Sequence, residues 1–213
     1  SKFVKNKVLE FVGDGIANLP IEFRNGIDVM TTETTCLSSI WETDGETERY
    51  FRIHSRPEAY KKLSPAEGAY YDGAVEIDLS TIEPMIALPF HPSNAVSVRE
   101  LNANAADILR EVEKRGAAQL GLEDGVLHLC DKIDKATGRV RVDQGVIAGC
   151  AGGTYDNICA AADILRGASV GADRFALSVY PASQPAFVRL LDTGRAADLM
   201  RAGATLRTAF CGP

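Results

Sequence analysis

The order of elements in the second half of the chain constrains the fold most tightly, because short apolar runs alternate there with helical patterns. Gly145-Val146-Ile147-Ala148-Gly149 reads as a buried strand, and Thr154 is placed to cap a helix over residues 154–166. Residues 175–180 read as the next strand, 184–191 as the next helix, 196–201 as a further helix stopped by Gly203, and 205–210 as the last strand. Upstream, residues 105–115 carry a Leu/Val helical stripe, 126–130 are strand-like and 134–139 form a turn. Strand and helix in repeated alternation imply an α/β fold with mostly parallel sheets and helices on both faces.

The first half is less regular. Residues 8–12 and 37–41 read as short strands, and Asn18 with Pro20 marks the start of a helix between them. Residues 47–62 read as a charged surface helix broken at Pro57, and the alternation in 74–79 reads as a strand. Pro84, Pro89 and Pro92 make regular structure improbable, so an extended crossing between domains is expected there, with His91 packed at the crossing. The expected organisation is two α/β/α domains, residues 1–95 and 96–213.

The net charge of −6 and the pI near 5.2 argue against a surface for nucleic acid or anionic membrane. No run approaches the roughly 18–20 apolar residues of a membrane span. The opening Ser1-Lys2-Phe3-Val4-Lys5-Asn6 lacks the apolar core of a signal peptide, so a cytoplasmic setting is expected. The chain starts just before a strand-like run and stops at Cys211-Gly212-Pro213, and it reads as a segment excised from a longer protein.

Five cysteines, at 36, 130, 150, 159 and 211, are too few and too scattered for a disulfide framework. Cys36, Cys130 and Cys159 read as small buried hydrophobes. Cys150 and Cys211 differ, because each follows a strand directly, and sites in open α/β sheets form beyond the carboxyl ends of strands. Cys150 also precedes Ala151-Gly152-Gly153 and a helix N-terminus, which favours negative charge and leaves room beside the backbone. By spacing alone the two thiols could be metal ligands, a redox pair or a coincidence.

Several stretches, taken in order, resemble the aconitase family. Residues 147–156, with Gly149-Cys150 and Tyr155-Asp156, resemble its signature G-S-C-T-N-x-x-Y-E-D, whose cysteine ligates an iron–sulfur cluster. The ending Cys211-Gly212-Pro213 resembles the start of C-G-P-C-x-G. Leu9-Glu10-Phe11-Val12-Gly13-Asp14-Gly15-Ile16 resembles E-F-x-G-x-G-V, and Arg24, Met30, Glu33 and Thr34 fit R-x-T-I-x-N-M-x-x-E-x-G-A. Tyr71-Asp72, Glu76-Ile77-Asp78-Leu79-Ser80 and Glu83-Pro84 are similar to Y-D…E-I-D-L-S-x-L-E-P, and Pro181-Ala182-Ser183 stands where the family has P-G-S.

The resemblance implies a hydro-lyase acting on a small polycarboxylate through a 4Fe–4S cluster held by three cysteines. Cys150 and Cys211 would be two of these ligands, with the third expected just after Pro213. Glu33 would handle a proton or orient water, while Arg24 matches the family but could equally brace its helix. None of His54, His91 or His128 matches a family catalytic histidine. Other catalytic segments would lie in the remaining domains of the parent chain, so this segment alone is expected to be inactive and to retain little cluster. Ala151-Gly152 replaces Thr-Asn, Val29 replaces an asparagine and Thr35-Cys36 replaces Gly-Ala. Losing those polar groups implies a divergent branch of hydratases rather than a citrate-cycle aconitase. The resemblance also admits an isopropylmalate- or homoaconitate-type large subunit, or a non-catalytic protein of this fold that senses iron or has lost its cluster.

Overall fold

The structure is a computed structural model that describes residues 3–172 and 174–210. The chain divides into two compact units, Ser1–Ala74 with Gln144–Pro213, and Val75–Asp143.

The first unit opens with β1 (Val8–Phe11), α1 (Ile21–Glu33), β2 (Ser38–Trp41) and α2 (Gly45–Ile53). β1 and β2 pair in parallel, Val8 opposite Ser38 and Phe11 opposite Trp41, and the last two rings stack 4.2 Å apart. Asn18 closes a 3-10 turn instead of capping α1, whose N-cap position is Pro20. α2 starts two residues earlier than its charge pattern suggests, because the Asp44 carboxylate accepts from the Glu46 and Thr47 amides at 3.1 and 3.2 Å. It ends at Ile53, short of Pro57, which instead begins a separate 3-10 turn.

Arg24 is 1% exposed, and α1, α2 and the 3-10 turn meet around it. Its guanidinium donates to both Asp44 carboxylate oxygens at 3.0 and 2.6 Å, and to the carbonyls of Ile16 and Leu19 at 2.9 and 3.0 Å. A planar group with five donors is suited to satisfying a carboxylate and two carbonyls at once. Arg24 is therefore a brace.

The second unit holds β3 (Met85–Ala87), β4 (Ala95–Ser97) and α3 (Val98–Leu120). β3 and β4 pair antiparallel, so the proline run expected to cross between domains is a hairpin connection, and the boundary expected near 95 falls within this unit. His91 is exposed at the connection rather than packed, with its Nδ1 2.8 Å from Ser93 Oγ. The expected strand over residues 74–79 is absent: those residues are exposed and unpaired, and alternation makes no strand without a partner edge. Residues 126–130 likewise lack strand pairing and lead into a 3-10 turn at Leu129–Lys132. α3 is capped by Ser97, whose Oγ accepts from the Glu100 amide at 3.0 Å, and is closed by Gly121 at φ 67°. Its inward residues Leu101 and Val112 join Leu88 in the unit's core.

The chain then returns to the first unit with β5 (Gln144–Ile147), α4 (Gly149–Gly152), α5 (Tyr155–Leu165), β6 (Ala176–Val179), α6 (Gln184–Asp192), α7 (Arg195–Arg201) and β7 (Thr205–Leu206). The three strands are parallel in the order β5-β6-β7, which is the α/β pattern implied by the alternation. The core here is Ile158 and Ala162 of α5, Leu177 and Val179 of β6, Leu190 of α6, Ala196 and Leu199 of α7, and Ala204. Among the described residues no helix is long and apolar enough to cross a membrane.

Candidate functional site

Cys150 sits one turn beyond the carboxyl end of β5. The strand ends at Ile147, whose carbonyl accepts from the Tyr180 amide at 2.8 Å as β6 also ends. Gly149 then takes φ 79°, a conformation that costs a glycine little, and the chain turns into the four residues of α4. Cys150 is exposed and unpaired, so no disulfide competes for it.

The turn is fixed on three sides within the first unit. On one side Gly153 is pressed against the chain leaving β6. A Cβ there would stand 2.5 Å from the Tyr180 carbonyl oxygen, 2.8 Å from that of Gly149 and 3.0 Å from the Ala182 amide. The Gly153 amide donates to Gly149 O at 2.8 Å, and its carbonyl accepts from Ala182 at 2.7 Å. On the second side α1 packs with Gly26 facing Ala151; a Cβ on Gly26 would meet the Ala151 Cα and Cβ at 3.9 Å. On the third side α5 supplies Asn157, whose Nδ2 donates to the Ala151 carbonyl at 2.8 Å. Only the Gly152 side is open, with nothing within 4 Å of an added Cβ.

The start of α5 differs from expectation. Thr154 holds the N-cap position but its side chain makes no capping bond, and Oγ1 is buried without a partner. Glu22 of α1 caps in its place: Oε2 accepts from the Asp156 amide at 2.9 Å. A carboxylate at a helix N-terminus satisfies an orphan donor and complements the helix dipole. α1 thus meets both α4 and α5, through Gly26 and Glu22. A cleft of about 580 Å³ lies against the turn, with Leu9, Phe23, Ile27, Met30 and Ala151 among its lining.

Glu33 is exposed at the last position of α1 and makes no hydrogen bond with the described residues. It lies on the same helical face as Gly26 but two turns further on, about 10 Å along the axis. α1 is therefore the element shared by Glu33 and the Cys150 turn, and it holds the two apart. Cys211 lies outside the described residues. The chain leading to it runs along the carboxyl edge of the β5-β6-β7 sheet, with the Arg207 amide donating to Val179 O at 2.8 Å and the Phe210 amide to Pro181 O at 3.3 Å. Cys36, Cys130 and Cys159 are half-buried, and Cys36 Sγ donates to the Thr31 carbonyl at 2.9 Å. Desolvation raises the Cys130 thiol above its ordinary value, with the nearby Glu113 carboxylate adding to the shift. That is the behaviour of an inert, packed cysteine.

Among the described residues no group of three or more His, Cys, Asp or Glu is arranged to hold a metal. The donor chemistry at Cys150 nevertheless fits a bulky inorganic group: a free, exposed thiol on a rigid turn beside an open glycine flank. Sequence reasoning singled out Cys150 but not Glu22, Gly26 or Asn157, which the structure brings to its turn, nor the reason for Gly153. Glycines at 26 and 153 were the available signal for close backbone approach.

The rigidity of the turn makes one prediction. Gly153→Ala forces its new methyl into backbone atoms that cannot rotate away, so a destabilisation of about 3 kcal/mol is expected, at the upper end of the overpacking range. Thermal unfolding of the variant measures it; an unchanged midpoint would contradict the packing described.

Residues 1–213 match the family model described as Aconitase family (aconitate hydratase). The chain is 30% identical over 207 residues to a 3-isopropylmalate dehydratase large subunit of Clostridium botulinum (strain Alaska E43 / Type E3), covering 97% of this chain and 40% of that protein. It is 29% identical over 205 residues to the one of Acetivibrio thermocellus, covering 96% of this chain and 40% of the relative. It is 30% identical over 207 residues to large subunit 2 of Rubrobacter xylanophilus, covering 97% and 40%. The chain thus spans about 40% of the length of these curated relatives. With the family model matched over residues 1–213, the chain belongs to the aconitase family.

Proposed function

We propose that the chain is the middle part of a hydro-lyase that adds and removes water on a small hydroxy-carboxylic acid, and that Cys150 holds a 4Fe–4S cluster there. The observation that carries this reading is the placement of Cys150. An exposed thiol, in a chain that matches the aconitase family, stands free on a turn at the carboxyl end of a parallel strand, where α/β sheets build their sites. Cys211 is proposed as a second ligand, supported by Phe210 at the carboxyl edge of the same sheet. The third thiol is proposed just after Pro213 in the parent protein, and the other groups that read the substrate in its remaining domains. Alone, the 213-residue chain is proposed to be inactive. The relatives' names favour the large subunit of a dehydratase acting on a branched hydroxy diacid over a citrate-cycle aconitase.

When bound, such a cluster supplies a Lewis acid that polarises a hydroxyl and a carboxylate. Dehydration breaks the C–O bond to that hydroxyl and the C–H bond on the adjacent carbon, giving an alkene and water. The chain's own contribution is positional: α4 sets the Cys150 thiol, Gly153 ties the turn to the end of β6, and α1 links the turn to Glu33. Glu33, free of intramolecular partners among the described residues, is proposed to pass a proton to the departing hydroxide or to orient the water that returns.

A second reading is a family member that has lost catalysis, favoured by the apolar Ala151-Gly152 beside Cys150. An anaerobic assay of the intact, cluster-loaded protein decides between them. Appearance of the unsaturated diacid's ultraviolet absorbance from a hydroxy diacid supports the hydro-lyase. Full cluster loading with no turnover on isopropylmalate, homocitrate or citrate would contradict it.

A further inference from the structure

We propose that Asn157 is the positioning residue for the Cys150 turn, acting from α5 through the carbonyl of Ala151. The residues next to Cys150 carry no polar side chains, since Ala151 and Gly152 follow it. The turn therefore cannot fasten itself with its own side chains. Its internal fastening is by backbone alone, including the bond from the Gly153 amide to Gly149 O at 2.8 Å. Ala151 O is met by Asn157 Nδ2 at 2.8 Å, across a part-buried contact. A carbonyl can only accept, so the amide nitrogen must face it and the Asn157 orientation follows.

The arrangement is rigid at the donor end as well. Asn157 stands one turn into α5, whose N-terminus is tied to α1 through the Asp156 amide and Glu22. The next residue, Ile158, is fully buried in the core of the β5-β6-β7 sheet. The side chain thus extends from a fixed helix to a turn that is otherwise held by Gly153 and by the packing of α1 through Gly26. Gly152 leaves the opposite flank open, so the Asn157 bond is the only side-chain hydrogen bond that reaches α4 among the described residues. A ligand thiol is useful only if its backbone does not wander, because misplaced first contacts lose affinity and chemistry together.

Asn157→Asp is the sharpest probe. It keeps the shape but replaces the donor with an acceptor-only carboxylate facing a carbonyl oxygen. This inference rests on the proposed ligand role of Cys150 for its functional meaning, but its first readout needs no cluster. In the 213-residue chain, amide exchange of Gly153 is followed by NMR, with Glu42 as the reference, whose amide donates to Phe11 O in the other sheet. Loss of one hydrogen bond predicts about fivefold faster exchange at Gly153 with Glu42 unchanged. In the intact protein, the same variant should load its cluster and then lose it to a chelator about fivefold faster than wild type. Unchanged exchange at Gly153, or equal acceleration at Gly153 and Glu42, would overturn the proposal. Faster Gly153 exchange with no cluster formed even in wild type would instead overturn the ligand reading while leaving Asn157 as the residue that fixes the turn.

Discussion

Replacing Arg24 with alanine is expected to cost the first unit about 3–5 kcal/mol, the range for breaking a buried ion pair by removing one partner. Three losses combine. Asp44 loses both of its guanidinium contacts, the carbonyls of Ile16 and Leu19 lose donors, and a large, fully buried side chain leaves a cavity. Arg24→Lys should recover only part of this, because an ammonium cannot bond the carboxylate twice and reach two carbonyls. The expected drop in thermal midpoint is about 10 °C for a chain of this size. A midpoint within a degree of wild type would contradict the brace.

The same pair makes stability depend on acid. Hydrogen bonding from Arg24 holds the Asp44 carboxyl below its ordinary value near 3.8; burial opposes the shift, and the Thr47 and Glu46 amides reinforce it. Because the folded value is depressed, the stabilisation is present above about 3.8 and is lost as pH falls through the folded value. Unfolding midpoints measured from neutral pH down to acid should therefore fall less steeply in Arg24→Ala than in wild type. Parallel curves would remove Asp44 from the acid response.

Glu33→Gln in the intact, cluster-loaded protein is expected to lower turnover by about 100-fold or more, the lower bound of what a positioned acid or base contributes. Stability should not change, since the carboxylate is exposed and makes no hydrogen bond with the described residues. Cluster content should also stay constant, because Glu33 stands two turns of α1 beyond Gly26, where that helix packs on the Cys150 turn. The pairing of those readouts is what identifies a proton-handling role: full activity would remove Glu33 from the mechanism, and loss of cluster would make it a structural residue.

Much of the strand–helix alternation of residues 144–206 was legible in the sequence, because each apolar run there has a parallel neighbour to bury it. Residues 74–79 show the converse: the alternation is as clean, but it pairs with no strand among the described residues and stays exposed. The proline run misled for a related reason. Pro84 falls just before β3, and Pro89 and Pro92 lie in the connection between β3 and β4, so none of them breaks the ladder. At the candidate site, Cys150 stands out because a cysteine flanked by small residues follows a strand-like run, although that strand is a half-exposed edge strand rather than the buried one expected. Its supports do not. Arg24 reads as a residue that could brace its helix, but its partners Asp44 and two carbonyls are not visible in the sequence, and Thr154 reads as the cap until Glu22 is found in its place. Each of these depends on a partner brought from another element, which local patterning cannot show.

The central claim is that Cys150 is a cluster ligand, and anaerobic iron–sulfide reconstitution of the intact protein tests it most directly. Wild type should develop the broad visible absorption of an iron–sulfur cluster, and Cys150→Ser should lose it, while Cys130→Ser, in a packed and inert position, should match wild type. Cluster absorption that persists undiminished in Cys150→Ser would contradict the account.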